Sequence, residues 1–383
     1  MKILIAIGVR RAPEAGAAGV VLNHEQELKK LGHQVETWFF DDLLPKPRWP
    51  SRFEQLEFAF AVSRRIRSNP TQFDVVNIHA PWGCVYGLAR RFFPGRTVPP
   101  YVFTMQGSEE RYALAMRLEH RKGRATNFAW KNRAWHRLYH QSMYDFSIST
   151  ADFGAVANRE GWLLSELKYG HPPGHIWYVP NGVDPRFFAP RVFDKSPAQR
   201  LLYVGTWLDR KGIYYLVDAF TALTKRLPQT TLTVAGALTS EEQVRSCFPM
   251  NLRARVTVIP FLRREEMPEL YASHDVFVFP SLVEGMPLTL LEAMASGMPV
   301  VTTNTCGMAD LIEDGANGLL VAAADAEHLT QVVFGICTCQ QLREMLGTAA
   351  QQTARRLTWQ IIARDLEHVL RLAVREKNPM SPP

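Results

Sequence analysis

Short apolar runs alternate with longer amphipathic stretches along nearly the whole chain. The first runs read KILIAIG, HQVETWFF, FDVVNIHA, YVFTMQG, FSIST and IWYVPN. A second series follows and reads RLLYVGT, TLTVAGA, RVTVIPF, VFVFPS, PVVTT and GLLVA. Buried strands that alternate with stretches long enough for helices indicate a parallel sheet with crossover helices. Because the series occurs twice, we predict an α/β protein with two doubly wound, Rossmann-like domains.

The predicted join between the domains lies in NGVDPRFFAPRVFDKSPAQR, a stretch rich in proline and polar residues. With 383 residues, the chain is too long for one ordinary hydrophobic core. We therefore predict a first domain over 1–185 and a second over 186–358. Segment 359–383 is expected to form a helix that returns to the first domain, followed by a frayed tail. Ligands of open α/β sheets bind beyond the carboxyl ends of the strands, which predicts a site in a cleft where two sheets face each other.

The composition is that of a soluble globular protein, with 46% hydrophobic and 21% charged residues. An odd number of cysteines without a CxxC pair or a Cys/His metal spacing indicates free thiols in a reducing compartment. The cysteines are Cys84, Cys247, Cys306, Cys337 and Cys339. The apolar run at the N-terminus stops at Arg10 and Arg11, which favours a first strand over a signal peptide. No uncharged run approaches the length of a membrane span, so we expect a cytoplasmic protein.

The net charge of +7 is concentrated in one segment, 111–140. That segment holds one acid, Glu119, and eight basic residues: Arg111, Arg117, Arg121, Lys122, Arg124, Lys131, Arg133 and Arg137. It is either a solvated helical face or a docking surface for an anionic partner. Binding of nucleic acid is disfavoured, because it would leave the second predicted domain without a role.

The stretch EGMPLTLLEA places Glu284 and Glu292 eight positions apart in apolar surroundings. Pro287 is best tolerated at a first helical turn, so Glu284 is predicted on a loop beside a helix N-terminus, with Glu292 two turns into the helix. Backbone N–H groups at such an N-terminus can hold an anion. A carboxylate accepts hydrogen bonds from vicinal hydroxyls, as in a sugar or a ribose. Two polyols joined by a charged linker form a nucleotide sugar, which is the ligand that this arrangement favours.

Two further loops carry residues suited to a diphosphate. Gly16 and Gly19 precede a helix predicted to begin around Val20, where small residues would let the backbone approach phosphate, although a plain flexible loop fits equally well. Arg210 and Lys211 follow the strand RLLYVG, where they would neutralise phosphate oxygens or form a solvent-facing basic turn.

The motif SLVEGMPLTLLEAMASGMPVV resembles the E-x7-E segment of retaining glycosyltransferases of the GT-B fold, glycosyltransferase family 4. The resemblance extends to AGAAGVV, LKKLGHQV, YVPNGVDPRFF, YVGTWLDRKG and CGMADLIEDGANGLLV, in the family's order. It implies two Rossmann-like domains facing across a cleft. It also implies a hexosyltransferase that moves a sugar from a UDP- or GDP-type donor to a sugar, glycan or lipid acceptor, with no cofactor.

The resemblance implies roles for particular residues. Glu284 would contact the hydroxyls of the transferred sugar, and Glu292 would bind the ribose. Lys211 would hold the leaving diphosphate. The other predicted donor contacts are Gly16, Gly19, Thr206, Arg210, Phe261, Leu262, Gly285, Met286, Pro287 and Leu288. The acceptor side would include Gln106, Gly107 and Glu109.

Two positions depart from the family pattern. Thr206 stands where an arginine is common, so Arg210 is the candidate for the second positive charge. Gln106 precedes Gly107 where a histidine is common, and its amide could replace the lost hydrogen bond.

The sequence carries no DxD-like pair or His/Asp cluster, which agrees with a metal-independent reaction. Retention by attack on the face that the leaving group vacates is favoured over double displacement, because Glu284 is already assigned to the sugar hydroxyls. A nucleotide-sugar epimerase, a hydrolase and a non-catalytic nucleotide-sugar-binding protein are the alternatives. Segment 111–140 is predicted on the acceptor side, attracted to an anionic acceptor or to the inner membrane face, with Phe128, Trp130 and Trp135 available as anchors.

Overall fold

A computed structural model describes residues 1–12, 16–93, 98–124, 134–193 and 197–377. The chain divides into two compact units. The first comprises Met1–Glu110, Ala129–Asn181 and Trp359–Pro383. The second comprises Arg111–Phe128 and Gly182–Thr358. The grouping of Arg111–Phe128 with the second unit differs from the sequence prediction, which placed that segment inside a first domain over 1–185.

The first unit is built on a parallel sheet of six strands in the order β2-β1-β3-β4-β5-β6. The strands are β1 (Lys2–Ala6), β2 (Gln34–Trp38), β3 (Val75–His79), β4 (Tyr101–Met105), β5 (Phe153–Val156) and β6 (Ile176–Tyr178). β1 pairs with β2 on one side and with β3 on the other. The direction in which strands are added therefore reverses between β1 and β3, which is the signature of a doubly wound sheet.

Helices flank this sheet on its connections. They are α1 (Gly16–Lys30), α2 (Phe40–Leu43), α3 (Glu54–Ser68), α4 (Cys84–Phe92), α5 (Glu109–Arg121), α6 (Ser142–Ser149) and α7 (Arg159–Tyr169). A 3₁₀ turn at Ser51–Phe53 precedes α3, and a π-helical turn at His136–Gln141 precedes α6. Helix α5 contributes its first two residues to the first unit and the others to the second.

The second unit has a parallel sheet in the order β12-β11-β10-β7-β8-β9. Its strands are β7 (Arg200–Val204), β8 (Thr231–Ala235), β9 (Val256–Ile259), β10 (Val276–Phe279), β11 (Val300–Thr303) and β12 (Leu319–Val321). Its helices are α8 (Ile213–Arg226), α9 (Glu241–Ser246), α10 (Met267–Ala272), α11 (Leu288–Ala295), α12 (Cys306–Leu311), α13 (Ala326–Thr338) and α14 (Gln340–Arg355). Short 3₁₀ turns occupy Pro185–Phe187, Asp209–Lys211 and Met250–Arg255. The reversal in this sheet lies between β7 and β10.

Apolar, β-branched and aromatic side chains explain why these strands form the core. All four residues of β10 are buried, as expected for a strand covered by helices on both faces. The predicted fold class is confirmed by the two parallel six-stranded sheets and their flanking helices. Within the described ranges, no helix combines the length and the apolar character needed to cross a bilayer.

One predicted strand is wrong. The run FSIST, residues 146–150, lies at the end of helix α6, and the strand of this region is β5. Gly154 in β5 packs directly against the ring of Phe103. A Cβ at position 154 would lie 2.3 Å from that ring, so the packing requires glycine here. Glycine lowers the strand propensity of FGAV, so tertiary packing decides where the strand forms.

The final helix, α15 (Trp359–Lys377), belongs to the first unit. Its buried residues recur at helical spacing: Trp359, Ile362, Ala363, Leu366, Val369, Leu370 and Ala373. Trp359 meets the ring of His24 edge-on at 5.4 Å, and Glu367 lies 2.8 Å from the His33 ring. This apolar stripe attaches the end of the chain to the first unit.

Candidate functional site

The loop after β7 is held close to the loop after β10 by a glycine. Gly212 has a φ of +71°, and a Cβ at this position would lie 1.9 Å from the carbonyl oxygen of Pro280. Only glycine tolerates both the conformation and the approach. Arg210 and Lys211 directly precede this glycine, so the close approach places both cations beside the loop that follows β10.

Hydrogen bonds fix the loop that carries Glu284. The backbone N–H of Leu282 donates to the carbonyl of Arg210 at 2.8 Å, and the Ser281 hydroxyl oxygen lies 3.1 Å from the same carbonyl. The hydroxyl of Thr303, at the end of β11, donates to the carbonyl of Ser281. Glu284 therefore sits at the carboxyl edge of the sheet, at the reversal point between β7 and β10, where ligands of such sheets bind.

A second glycine packs against this loop from the start of α12. An added Cβ on Gly307 would lie 1.7 Å from the carbonyl oxygen of Gly285. Its backbone N–H points to the carbonyl of Glu284 at 3.4 Å. The sequence analysis missed Ser281, Thr303 and Gly307 as supports of Glu284. Their shared signal is a small or hydroxyl residue at the end of a buried strand or within four residues after it.

The Glu284 carboxylate is paired with both cations. Its Oε1 atom lies 2.7 Å from Lys211 Nζ and 2.9 Å from Arg210 NH1, and it accepts a hydrogen bond from Ser281 at 2.8 Å. The side chains of Glu284 and Lys211 are each 12% exposed. Burial alone raises the pKa of Glu284, but the charges of Lys211 and Arg210 outweigh burial and hold that pKa below its usual value. Glu284 is therefore a carboxylate at neutral pH.

Helix α11 begins directly beyond this carboxylate. Pro287 is its N-cap and offers no side-chain hydrogen bond to the first turn. The first intrahelical hydrogen bond runs from the Leu291 N–H to the Pro287 carbonyl. The N–H groups of Leu288 to Leu290 precede the first intrahelical donor, so they can serve a bound anion. Gly285 and Met286 connect Glu284 to this helix start, as the sequence predicted.

Glu292 lies on α11 and is held by a buried tyrosine. The Tyr271 hydroxyl donates to Glu292 Oε2 at 3.0 Å and lies 3.1 Å from the carbonyl of Thr289. Burial raises the pKa of Glu292 to about 7, which the nearby charge of Arg264 only partly opposes. Tyr271 had no signal in the sequence analysis, because an isolated tyrosine in a helix resembles a core residue.

We predict a pH-dependent stability from Glu292. In the unfolded chain this group ionises near 4.5, and in the folded chain near 7, so the unfolded state loses its proton first as pH rises. Stability therefore falls between these pH values and the loss is complete above them. The wild type should therefore lose about 2 kcal/mol of unfolding free energy between pH 5 and pH 8 that Glu292→Gln, which has no titrating group at this position, does not lose. Urea unfolding at both pH values measures this.

The matched control is Glu344→Gln, at an exposed acid on α14. It should leave the pH dependence of the wild type unchanged. A Glu292→Gln protein whose unfolding free energy follows the wild type at both pH values would contradict the raised pKa.

Three other predicted donor contacts lie on neighbouring strand ends. Thr206 follows β7, and its carbonyl accepts a hydrogen bond from the Tyr203 hydroxyl at 3.2 Å. Phe261 and Leu262 follow β9, and the Phe261 side chain is 57% exposed. Leu238, which follows β8 and was not predicted, is 66% exposed with a φ of +52°. The carboxyl edge thus presents apolar side chains after β8 and β9.

The predicted residues of the first unit form a separate group. Helix α1 begins at Gly16, so the predicted start near Val20 is wrong and both glycines lie in the first turn of the helix. Gly16 has open space where a Cβ would stand, while Gly19 is buried. Gln106 and Gly107 follow β4, and Glu109 contacts the His136 ring. Because residues 13–15 lie outside the described residues, the predicted role of this loop stays a prediction.

Two cations of the basic segment are engaged inside the second unit. Lys122 Nζ donates to the Tyr215 hydroxyl at 2.9 Å, and Arg124 NH2 lies 3.2 Å from Asp218. The Tyr215 hydroxyl donates to Glu119, whose side chain is 1% exposed. These contacts, and the packing of α5 residues against Leu282, explain why Arg111–Phe128 groups with the second unit.

The other residues named for this segment differ in status. Phe128, Trp130, Lys131 and Arg133 lie outside the described residues. Trp135 stacks on Tyr139 at 4.7 Å and meets the ring of Phe53 at 5.3 Å, so it is part of a packed cluster.

Both parts of the chain match models of glycosyltransferase families. Residues 15–187 match Glycosyltransferase Family 4, and residues 188–353 match Glycosyl transferases group 1. The chain is 33% identical over 199 residues to a D-inositol 3-phosphate glycosyltransferase of Arthrobacter, covering 49% of this chain and 47% of that protein. It is 28% identical over 178 residues to UDP-Gal:alpha-D-GlcNAc-diphosphoundecaprenol alpha-1,3-galactosyltransferase of Escherichia coli, covering 43% and 46%. The chain thus spans about half the length of the curated relatives it matches.

The fold is similar to that of sucrose-phosphate synthase from Thermosynechococcus elongatus. The TM-score is 0.76 at 19% identity, over 97% of this chain and 98% of that chain. This likeness shows the GT-B fold, and the two family models, which match the two parts of the chain in turn, show a glycosyltransferase of the family 4 type. The resemblance predicted from the sequence motifs is confirmed to that extent.

Proposed function

We propose that the protein transfers a hexosyl group from a nucleoside-diphosphate sugar to an acceptor hydroxyl, with retention and without a bound metal ion. The observation that carries the proposal is the contact of the Glu284 carboxylate with Lys211 and Arg210 at the reversal point of the second sheet. Cations beside a helix N-terminus suit a diphosphate, and a carboxylate suits the hydroxyls of a sugar. The glycosyltransferase family models support the same activity.

In this proposal the leaving diphosphate is held by Lys211, Arg210 and the first turn of α11. Negative charge builds up on the diphosphate as its bond to the anomeric carbon breaks. Preorganised cations in a site of low water content stabilise that charge in the transition state. Because the protein supplies this charge itself, the proposed reaction needs no metal ion.

Glu284 would orient the transferred sugar. When Lys211 and Arg210 bind the diphosphate instead, the Glu284 carboxylate can accept hydrogen bonds from sugar hydroxyls. Ser281 still donates to Oε1 and keeps the carboxylate in place. The ion pairs of Glu284 with Lys211 and Arg210 thus place both kinds of charge where the two halves of the donor would bind.

Retention is proposed to occur on one face of the sugar. The acceptor oxygen bonds to the anomeric carbon on the side from which the diphosphate departs, and the acceptor proton passes to a departing phosphate oxygen. Double displacement through Glu284 is less favoured, because two cations lower its pKa and weaken it as a nucleophile. The donor and the acceptor together supply every atom and the proton of this reaction.

The nucleoside would occupy the remaining part of the carboxyl edge. Glu292 would bind the ribose hydroxyls, and the segment at Phe261 and Leu262 would hold the base. A UDP- or GDP-sugar is the proposed donor. The name of one relative, the Escherichia coli galactosyltransferase, specifies UDP-Gal, which supports the UDP alternative.

The acceptor is proposed to be a sugar, glycan or lipid that binds on the side of Gln106, Gly107 and Glu109. The two relatives named above act, by their names, on a diphosphate-linked lipid and on an inositol phosphate. Segment 111–140, with its charge of +7, would attract such an anionic acceptor or the inner membrane face from the cytoplasm. Because Lys122 and Arg124 are engaged in packing, Lys131→Gln/Arg133→Gln is the cleaner test of this attraction.

Donor turnover with and without acceptor tests the proposed function. A panel of UDP-, GDP- and ADP-sugars, followed by thermal shift, first identifies the donor. Turnover then separates transfer from hydrolysis, from epimerisation and from binding without reaction.

A further inference from the structure

The C-terminal ends of α3 and α4 form a basic and aromatic surface on the first unit. The two helices pack against each other, and the Arg67 guanidinium lies 5.4 Å from the centre of the Phe93 ring. Arg64 stands one helical turn before Arg67, and Arg91 and Phe92 directly precede Phe93. We refer to these five residues as the arginine–phenylalanine surface. None of them belongs to the site proposed above or to segment 111–140.

The two phenylalanines are exposed although their backbone is well anchored. Phe92 is 70% exposed and Phe93 is 65% exposed. The backbone N–H of Phe93 donates to the carbonyl of Ala89 at 3.1 Å and so closes the last turn of α4. Two adjacent aromatic side chains are therefore presented to solvent by an ordered turn, which leaves a large apolar area in water.

The chain segment that carries these rings is rich in arginine, and Asp152, which lies outside this segment, pairs with Arg90 at 2.7 Å. Between Glu57 and Glu109 the sequence contains a single acid, Asp74. The same stretch contains the arginines Arg64, Arg65, Arg67, Arg90, Arg91 and Arg96. Asp74 accepts a hydrogen bond from the backbone of Lys2 at 2.7 Å. A favourable interaction with the helix dipoles accounts for basic residues in these last turns, but it does not account for the exposed phenylalanines.

We propose that the arginine–phenylalanine surface docks the first unit on a membrane that contains anionic lipids. Phe92 and Phe93 enter the boundary between headgroups and acyl chains, which accepts apolar side chains without a preformed pocket. Arg64, Arg67 and Arg91 contact the lipid phosphates, which guanidinium groups bind in a forked geometry. An acidic protein surface would satisfy the arginines, but it would need a fitted cavity for two adjacent rings. The proposal does not depend on the donor site.

Vesicle co-sedimentation of the full chain tests the proposal. The vesicles are phosphatidylcholine alone or phosphatidylcholine with about 30% phosphatidylglycerol, at low and high salt. The wild type is expected to bind the anionic vesicles at low salt and to be released by high salt. Phe92→Ser/Phe93→Ser and, separately, Arg64→Gln/Arg67→Gln/Arg91→Gln should each weaken binding about tenfold or more.

Two controls make the result specific. Leu167→Ser/Met250→Ser removes two apolar side chains that are 77% and 78% exposed elsewhere, and it should bind like the wild type. Lys131→Gln/Arg133→Gln reports the separate contribution of segment 111–140. Circular dichroism and thermal unfolding identify any variant that fails to fold, and the arginine variant then stands in for the phenylalanine variant or the reverse.

Three outcomes would overturn the proposal. One is a wild type that stays in solution with anionic vesicles at low salt, which would leave an acidic protein as the partner of this surface. Another is full binding by both folded variants. The third is an equal loss of binding in the Leu167→Ser/Met250→Ser control, which would make the binding unspecific.

Discussion

Glu284→Gln is expected to lower turnover at least ~100-fold, a loss of about 2.7 kcal/mol in transition-state stabilisation. The amide keeps the size of the side chain but loses the charge that accepts hydrogen bonds from the sugar hydroxyls. The fold should persist, because the loop is held by the Leu282 N–H, the Thr303 hydroxyl and the close approach of Gly307, and none of these contacts involves the carboxylate. Affinity for the nucleoside diphosphate should be kept or increased, since Lys211 and Arg210 no longer share a carboxylate.

Steady-state kinetics and calorimetry on the same variant separate these effects. Glu344→Gln, at an exposed acid far along the chain on α14, is the matched control and should retain full turnover. Turnover near that of the wild type in Glu284→Gln would remove Glu284 from the proposed chemistry.

Lys211→Ala is expected to weaken binding of the nucleoside diphosphate more than Arg210→Ala does. Lys211 is 12% exposed and Arg210 is 32% exposed, so water screens the lysine charge less. We expect a loss of about tenfold or more for Lys211→Ala and a smaller loss for Arg210→Ala. Lys211→Met, which keeps the apolar stem, should behave like Lys211→Ala if the charge is the cause.

Isothermal titration with the free nucleoside diphosphate measures both losses. Lys225→Ala, at an exposed lysine in the last turn of α8, controls for the loss of a positive charge as such. A dominant loss in Arg210→Ala would exchange the two roles. Unchanged affinity in both variants would place the diphosphate away from this loop.

The strands were predictable wherever their apolar runs were long and rich in β-branched or aromatic residues. β1 and β10 illustrate this, since residues 3–6 of β1 and all of β10 are buried and both stretches are apolar. β5 was missed because Gly154 weakens the local signal, and the packing of Phe103 against that glycine is invisible in the sequence. The run FSIST was wrongly predicted as a strand, because its apolar residues belong to the end of helix α6.

The site was predictable in its residue types but not in its contacts. The motif around Glu284 and the position of Lys211 after a strand pointed to the same ligand. Their contact depends on β7 and β10 being neighbours, although these strands are about 75 residues apart in sequence. The pairing with Arg210, the hydroxyl of Tyr271 on Glu292, and the grouping of Arg111–Phe128 with the second unit all follow from long-range packing. Local sequence carries no signal for such contacts.

Proton NMR tests the central claim most directly. The reaction is run with the donor that the thermal-shift panel identifies, once with acceptor and once without. The spectrum reports at once the release of nucleoside diphosphate and the anomeric configuration of the product. The account predicts that nucleoside diphosphate is released faster when acceptor is present. It also predicts that the new glycosidic bond has the anomeric configuration of the donor. Release at the same rate without acceptor, or a product of inverted configuration, would contradict it.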